Sequence, residues 1–386
     1  MNNRNSSIIE KNKEHRSILL IAGGSKDNKS AANNQKKVID ILNELSHNIY
    51  LITPCNRSFF LKRHYIYNIT SYKNQFFSFI LTQINQLIAT IKILKYNNID
   101  LIIFIFGCDL NILPIIYLKL IKKKIALRSD GRPTKIISKY LGNKYKIKSF
   151  LFKLIEEINY RLVDCVLSEC NYAISDNEFE KYPKTGSAPL YVDTNKFYFK
   201  KENNKRHYDL GYIGRFSEEK GILNLIKAIE LIFSKNNKLN IFIAGEGDLF
   251  QETYKFIQTE KNHYNITLHP WITPDHLPNY LNEIKLIVLP SKKEGLPNIM
   301  LEAMACGTPV LATPVGAIPD VIQDEVTGFI MENNTPECIA QNVMRALNHP
   351  DLEGIAERGR QYVAREFTFE KAVERWQHIL TKIKCY

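Results

Sequence analysis

The chain of 386 residues lacks any apolar run of the roughly 18–20 residues that a membrane-spanning helix needs. Its longest apolar candidates, residues 101–107 and 284–290, are of strand length. Residues 1–16 mix both charge signs and contain no apolar h-region, so they do not read as a signal peptide; they read as a disordered tail. The seven cysteines are odd in number, widely spaced and without a CxxC pair, which argues against a disulfide framework and against a zinc site. Reduced thiols in a cytoplasmic protein are the plain expectation. No basic-aromatic RRM signature and no zinc-finger spacing is present, so no nucleic-acid partner is expected.

Basic charge is abundant, and it is unevenly spread. Residues 1–200 hold 31 Lys and Arg against 16 Asp and Glu, whereas residues 201–386 hold 21 against 24. A Lys- and Asn-rich surface that is merely solvated would look like this. So would a first half attracted to an anionic membrane surface, with the protein peripheral at the inner face.

The first half alternates short apolar strands (17–22, 48–53, 99–106, 124–127, 165–167) with helices near 33–45, 76–95 and 148–162. The second half repeats the rhythm, with strands at 208–213, 239–244, 266–268, 286–290 and 310–313 and helices at 221–233, 275–281, 297–306, 336–347 and 352–366. Such alternation predicts an α/β protein of two units with mostly parallel sheets and a cleft between its halves. The polar stretch 196–207 suggests the boundary: domain one at 17–200, domain two at 201–366, and a last helix at 367–386.

The densest chemistry lies in 288–320. A strand ends at Pro290, and a helix is expected to open at Gly295-Leu296-Pro297 with proline in its first position. The amides of that turn, including those of Asn298 and Ile299, would form an anion site. Glu294 precedes the turn and Glu302 lies eight residues on, about 10 Å along the axis. Two glutamates near a helix start are ordinarily a cap and a solvated face. Here Glu302 stands among Met300, Leu301, Ala303 and Met304, in a segment built for burial. In the second stretch, 211–221, a strand ends at Gly214, and Arg215 and Lys220 flank a turn; together they would neutralise a diphosphate. Gly245 and Gly247 follow a third strand. Ala22-Gly23-Gly24 raises a dehydrogenase as a rival, but a third glycine is missing.

Glu294 and Glu302, with Gly295-Leu296-Pro297 between and AMACGTPV after, resemble the E-x7-E signature of the family 4 retaining glycosyltransferases (glycosyltransferase group 1). GRFSEEKG is similar to that family's diphosphate loop, GEG to its G-x-G turn, and Val192-Asp193-Thr194…Phe197 to the end of its first domain. The resemblance implies a GT-B fold, two Rossmann-like domains with parallel sheets facing a central cleft, with a nucleotide-sugar donor held mainly by the second domain; the motifs do not fix the base, and a UDP-sugar is the first candidate. It implies that Arg215 and Lys220 bind the phosphates, that Glu294 and the amides of Leu296, Asn298 and Ile299 hold the sugar, and that Glu302 holds the ribose diol. Ile272 would lie near the base, and Gly24 and Asp130 on the side of a saccharide or lipid-linked acceptor. Where many relatives carry a His-Asp pair, this chain has Arg128-Ser129-Asp130-Gly131. No D-x-D motif stands at a plausible place, so neither a metal nor a cofactor is expected. An epimerase or phosphorylase of the same fold, and a non-catalytic anchoring protein, are the alternatives.

Overall fold

The computed structural model describes residues 15–23, 29–53, 64–68, 75–129, 131–134, 146–182, 184–234, 239–260 and 265–384. The chain forms two compact units, residues 1–190 with 372–386 and residues 191–371.

The first unit contains β1 (His15–Ala22), α1 (Lys29–Leu45), β2 (Ser46–Thr53), β3 (His64–Asn68), α2 (Gln75–Tyr96), β4 (Leu101–Ile105), α3 (Ile112–Leu120), β5 (Ile125–Arg128), α4 (Lys146–Leu162), β6 (Cys165–Ser168), α5 (Asn171–Asp176) and β7 (Thr185–Ser187). The strands form one parallel sheet in the order β3-β2-β1-β4-β5-β6-β7. Leu101–Ile105 is buried along its whole length, as a strand covered on both faces must be. β1 starts at His15, paired with Ser46, so two residues read as tail belong to the sheet.

The second unit holds β8 (Leu210–Ile213), α6 (Ile222–Ser234), β9 (Asn240–Ala244), α7 (Phe250–Glu260), β10 (Asn265–His269), α8 (Leu277–Leu281), β11 (Ile287–Leu289), α9 (Asn298–Ala305), β12 (Val310–Ala312), α10 (Ile318–Val321), β13 (Phe329–Ile330), α11 (Pro336–Leu347) and α12 (Leu352–Glu366). Its order is β10-β9-β8-β11-β12-β13, again parallel. Both sheets therefore have the doubly wound pattern, reversing direction beside their first strand. α6 turns Ile222, Leu225, Ile226, Ile229 and Ile232 into the second core at helical spacing.

The division falls between Leu190 and Tyr191 rather than at 200. The polar segment read as a linker is bound into the second unit: the Lys200 amide donates to Asn282 Oδ1 (2.8 Å), and Lys201 pairs with Glu283 (2.6 Å). Arg206 is buried there and donates to the carbonyls of Lys201, Leu281, Ile284, Cys306 and Gly307 at 2.9–3.1 Å, and to Thr308 Oγ1. Burial lowers its guanidinium to about 10. Four of these carbonyls, those of Leu281, Ile284, Cys306 and Gly307, lie at or just beyond the carboxyl ends of α8 and α9, where a helix dipole favours a cation. A last helix, α13 (Phe369–Lys384), begins in the second unit and continues in the first. There the buried Trp376 donates its indole N–H to the Pro189 carbonyl (3.2 Å).

Candidate functional site

The residues singled out in the second half gather at the carboxyl ends of four neighbouring strands, β10, β9, β8 and β11. The turn after β8 is a short 3-10 segment, Glu218–Lys220, closed by Gly221 in the left-handed region (φ 72°). A Cβ on Gly221 would collide with the Pro290 carbonyl at the end of β11, so only glycine lets these two loops touch. The Lys292 amide completes the seam by donating to the Glu219 carbonyl (2.8 Å).

At this seam, where the sheet reverses direction, Lys220 Nζ meets Glu294 Oε2 at 2.7 Å. The other carboxylate oxygen accepts from Ser291 Oγ at 2.6 Å. Glu294 is nearly buried (7% of the side chain exposed) and Lys220 half-buried (24%). Ser291 is in turn anchored by Thr313, whose hydroxyl donates to its carbonyl. Sequence reading missed Ser291; it stands three residues before Glu294, in a loop whose shape the sequence does not reveal.

Gly214, Gly245 and Gly247 form the next layer. The Gly214 amide donates to Ala244 (3.0 Å), Phe216 to Glu246 (2.8 Å) and Gly245 to His269 (3.2 Å). A Cβ on Gly245 would strike the Gly214 carbonyl, so the glycine turn and the Arg215 loop are locked together. Ile272 is buried just beyond β10. Next to it His269 Nε2 contacts the Tyr280 hydroxyl at 3.1 Å. Arg215 stands apart from the Lys220–Glu294 pair: it is exposed and lies 3.6 Å from Glu219. Its carbonyl accepts from Tyr212 (2.8 Å), whose buried hydroxyl has its pKa raised by burial and then by the charge of Glu294.

The helix after Glu294 begins one residue later than the sequence suggests. Pro297 is the N-cap of α9, extended at ψ 117°, and its carbonyl accepts from Met300. Gly295 lies in the loop before it, and its carbonyl accepts from Ala317 (2.9 Å). Asn298 and Ile299 form the first turn of α9 after the buried Leu296, and Glu302 is buried further along the same helix.

In the first unit, Gly24 and Asp130 lie outside the described residues. The equivalent reversal there is between β1 and β4, where the Gly23 amide donates to Ile105 (3.1 Å). Just past β4, the buried Asp109 accepts from the Tyr160 hydroxyl at 2.8 Å, and Tyr160 contacts Ser129 at 3.0 Å. Burial pushes the Asp109 carboxyl from 3.8 up to about 6, against hydrogen bonds from Ser129 and Tyr160 that pull it down. An acid whose pKa is higher in the folded state binds more protons there, so stability falls as pH rises from about 4 to about 6 and is level above that. Asp109→Asn is expected to flatten this window and to add on the order of 2–3 kcal/mol above pH 6. Urea titrations at pH 4, 5, 6 and 7 would measure it, and an unchanged slope would remove Asp109 as the cause.

Residues 193–362, which lie within the second unit, match the family model described as glycosyl transferases group 1. Over 200 residues the chain is 31% identical to the capsular polysaccharide biosynthesis glycosyltransferase CapM of Staphylococcus aureus, covering 50% of this chain and 48% of that protein. Over 199 residues it is 27% identical to an uncharacterised glycosyltransferase of Methanocaldococcus jannaschii, covering 51% and 54%. The chain thus spans about half the length of these curated relatives. Among solved structures, sucrose-phosphate synthase of Thermosynechococcus elongatus superposes with a TM-score of 0.74 at 16% identity, covering 95% of this chain and 99% of that one. HepE of Anabaena, in complex with UDP and glucose, superposes with a TM-score of 0.72 at 14% identity, covering 94% and 99%. The fold is that of the GT-B glycosyltransferases.

Proposed function

We propose that the chain is a retaining glycosyltransferase that moves a hexose-type sugar from a nucleotide-sugar, UDP-linked, to a saccharide or lipid-linked saccharide in the making of a cell-surface polysaccharide or glycoconjugate. The observation that carries this reading is the Lys220–Glu294 pair at the point where the second sheet reverses, the place where such sheets bind ligands. The match to glycosyl transferases group 1, the capsular polysaccharide enzyme among the relatives and the UDP complex of HepE support it.

In this reading negative charge grows on the diphosphate as the sugar departs. Lys220, Arg215 and the first-turn amides of α9 stabilise it, as preorganised donors do when aimed at developing charge. Glu294, released from Lys220 by the incoming phosphates, accepts hydrogen bonds from hydroxyls of the sugar. Gly214, Gly245 and Gly247 let the donor approach the backbone, Ile272 borders the base, Glu302 takes the ribose diol, and Gly24 and Asp130 serve the acceptor. The cations are the protein's own, so transfer is proposed to need no metal and to survive chelation by EDTA.

Thermal stability is to be measured with UDP-, GDP-, ADP- and dTDP-sugars. A ligand at 100 times its Kd adds about 2.7 kcal/mol. One responding nucleotide whose effect vanishes in Lys220→Ala is the expected result. A flat panel would overturn the donor assignment.

A further inference from the structure

Every exposed isoleucine and leucine among the residues whose burial is described lies on α2, α3 and α4 or in the turn after α3. In sequence the connections β3 to β4, β4 to β5 and β5 to β6 all advance in the same direction across the first sheet. Right-handed crossovers therefore put these three helices on one face. α2 packs on α3 and α3 on α4, and the Phe79 and Phe152 rings join α2 to α4 with centroids 5.5 Å apart. Their inner sides are spent on the core: Ala89 and Ile93 from α2, Ile115 and Leu118 from α3, Tyr160 from α4.

Their outer sides are apolar as well. Ile80, Ile84, Ile88 and Ile91 make a stripe along α2 at the spacing of one helix face. Ile116 and Leu120 stand out from α3, the latter 77% exposed, and Phe150 and Leu154 from α4. Apolar side chains on the outer side of a helix whose inner side already fills a core are surplus to the fold, and a contiguous set of them marks an interaction site.

Charge selects the partner. Lys92, Lys95, Lys122 and Lys153 are exposed on the same helices and the turn after α3. The only acidic residues there are Glu156 and Glu157. Glu156 is buried and accepts from Thr134, and Glu157 accepts from Tyr182 and Arg161. No helix among the described residues is long and apolar enough to cross a membrane. Apolar anchors flanked by lysines, with no exposed carboxylate on those helices, suit a surface that is both greasy and anionic. We infer that the outer face of α2, α3 and α4 lies on the surface of an anionic lipid bilayer. This inference does not depend on the transfer chemistry.

The test is flotation of the full chain with phosphatidylglycerol–phosphatidylcholine vesicles and with phosphatidylcholine alone. Binding to the anionic vesicles that weakens with salt is expected, and Lys92→Glu with Lys95→Glu should weaken it by about tenfold or more. Ile88→Glu with Leu120→Glu should abolish it without lowering the melting temperature, since both side chains are already exposed. In the Ile88→Trp variant tryptophan emission should shift to the blue on anionic vesicles only. Equal binding by all variants, or no binding at all, would overturn the inference. So would a self-associated species that Ile88→Glu dissolves in the absence of vesicle binding, which would assign the face to a second copy.

Discussion

Lys220→Ala is expected to lower transfer by about 100- to 1,000-fold, the usual cost of deleting one preorganised donor aimed at developing charge. The ammonium lies 2.7 Å from Glu294, so the substitution has two separable effects. It removes the cation nearest the seam between β8 and β11. It also leaves a nearly buried carboxylate with Ser291 as its hydrogen-bond donor, which costs on the order of 1–3 kcal/mol. Glu294→Gln separates the two: it relieves the orphaned charge and keeps an acceptor for Ser291, yet removes the group proposed to hold the sugar. The double variant should therefore be more stable than Lys220→Ala alone and no more active. Lys220→Arg should not rescue, because a planar fork is no substitute for a compact point charge in a seam this narrow. If Lys220→Ala retained near-native turnover, the phosphate assignment would fail.

The largest expected loss of stability is at Arg206. Its guanidinium binds six acceptors, five of them carbonyls, and none is a carboxylate. Arg206→Met keeps much of the apolar stem but strands buried carbonyls at the ends of α8 and α9. A loss of about 3–5 kcal/mol in the second unit is expected, the scale seen when a buried charged network loses its central partner. Arg206→Lys should recover only part, since three donors replace five in a fixed fork. Chemical denaturation monitored in the second unit would measure this, and a loss under 1 kcal/mol would show that water replaces the arginine. Because α9 carries Glu302, donor affinity should fall along with stability.

The same arginine shows where sequence reading stops. It lies in FYFKKENNKRH, a polar run that reads as a solvated linker. Its partners are backbone carbonyls up to 101 residues away, and nothing in side-chain pattern announces a carbonyl. The central strands and the glycine loops were legible because continuous apolar runs and glycines at strand ends each have a narrow physical meaning. The edge strands β3, β7 and β13 were not: they are short, and HYIYN, TGS and FI carry no decisive periodicity. α3 was missed for the opposite reason. ILPIIYLKL is apolar on every side, so no 3.6-residue pattern remains to mark it. In the site, Glu294 and Lys220 were legible as residue types at helix-opening turns, but not as partners of each other, because 74 residues separate them.

The path of the chain has a consequence of its own. It enters the second unit after Leu190 and leaves it after Lys371. Just inside those crossings the Val192 amide donates to the Phe367 carbonyl (2.9 Å), and the Tyr191 and Phe369 rings meet edge to face at 5.0 Å. Residues 191–371 are thus a cassette whose two ends are clasped together, inserted into a host that resumes at Ala372. A segment held this way can be replaced at its two junctions without stretching the surrounding chain, although those junctions lie far apart in sequence. The family match at 193–362 falls wholly within the cassette.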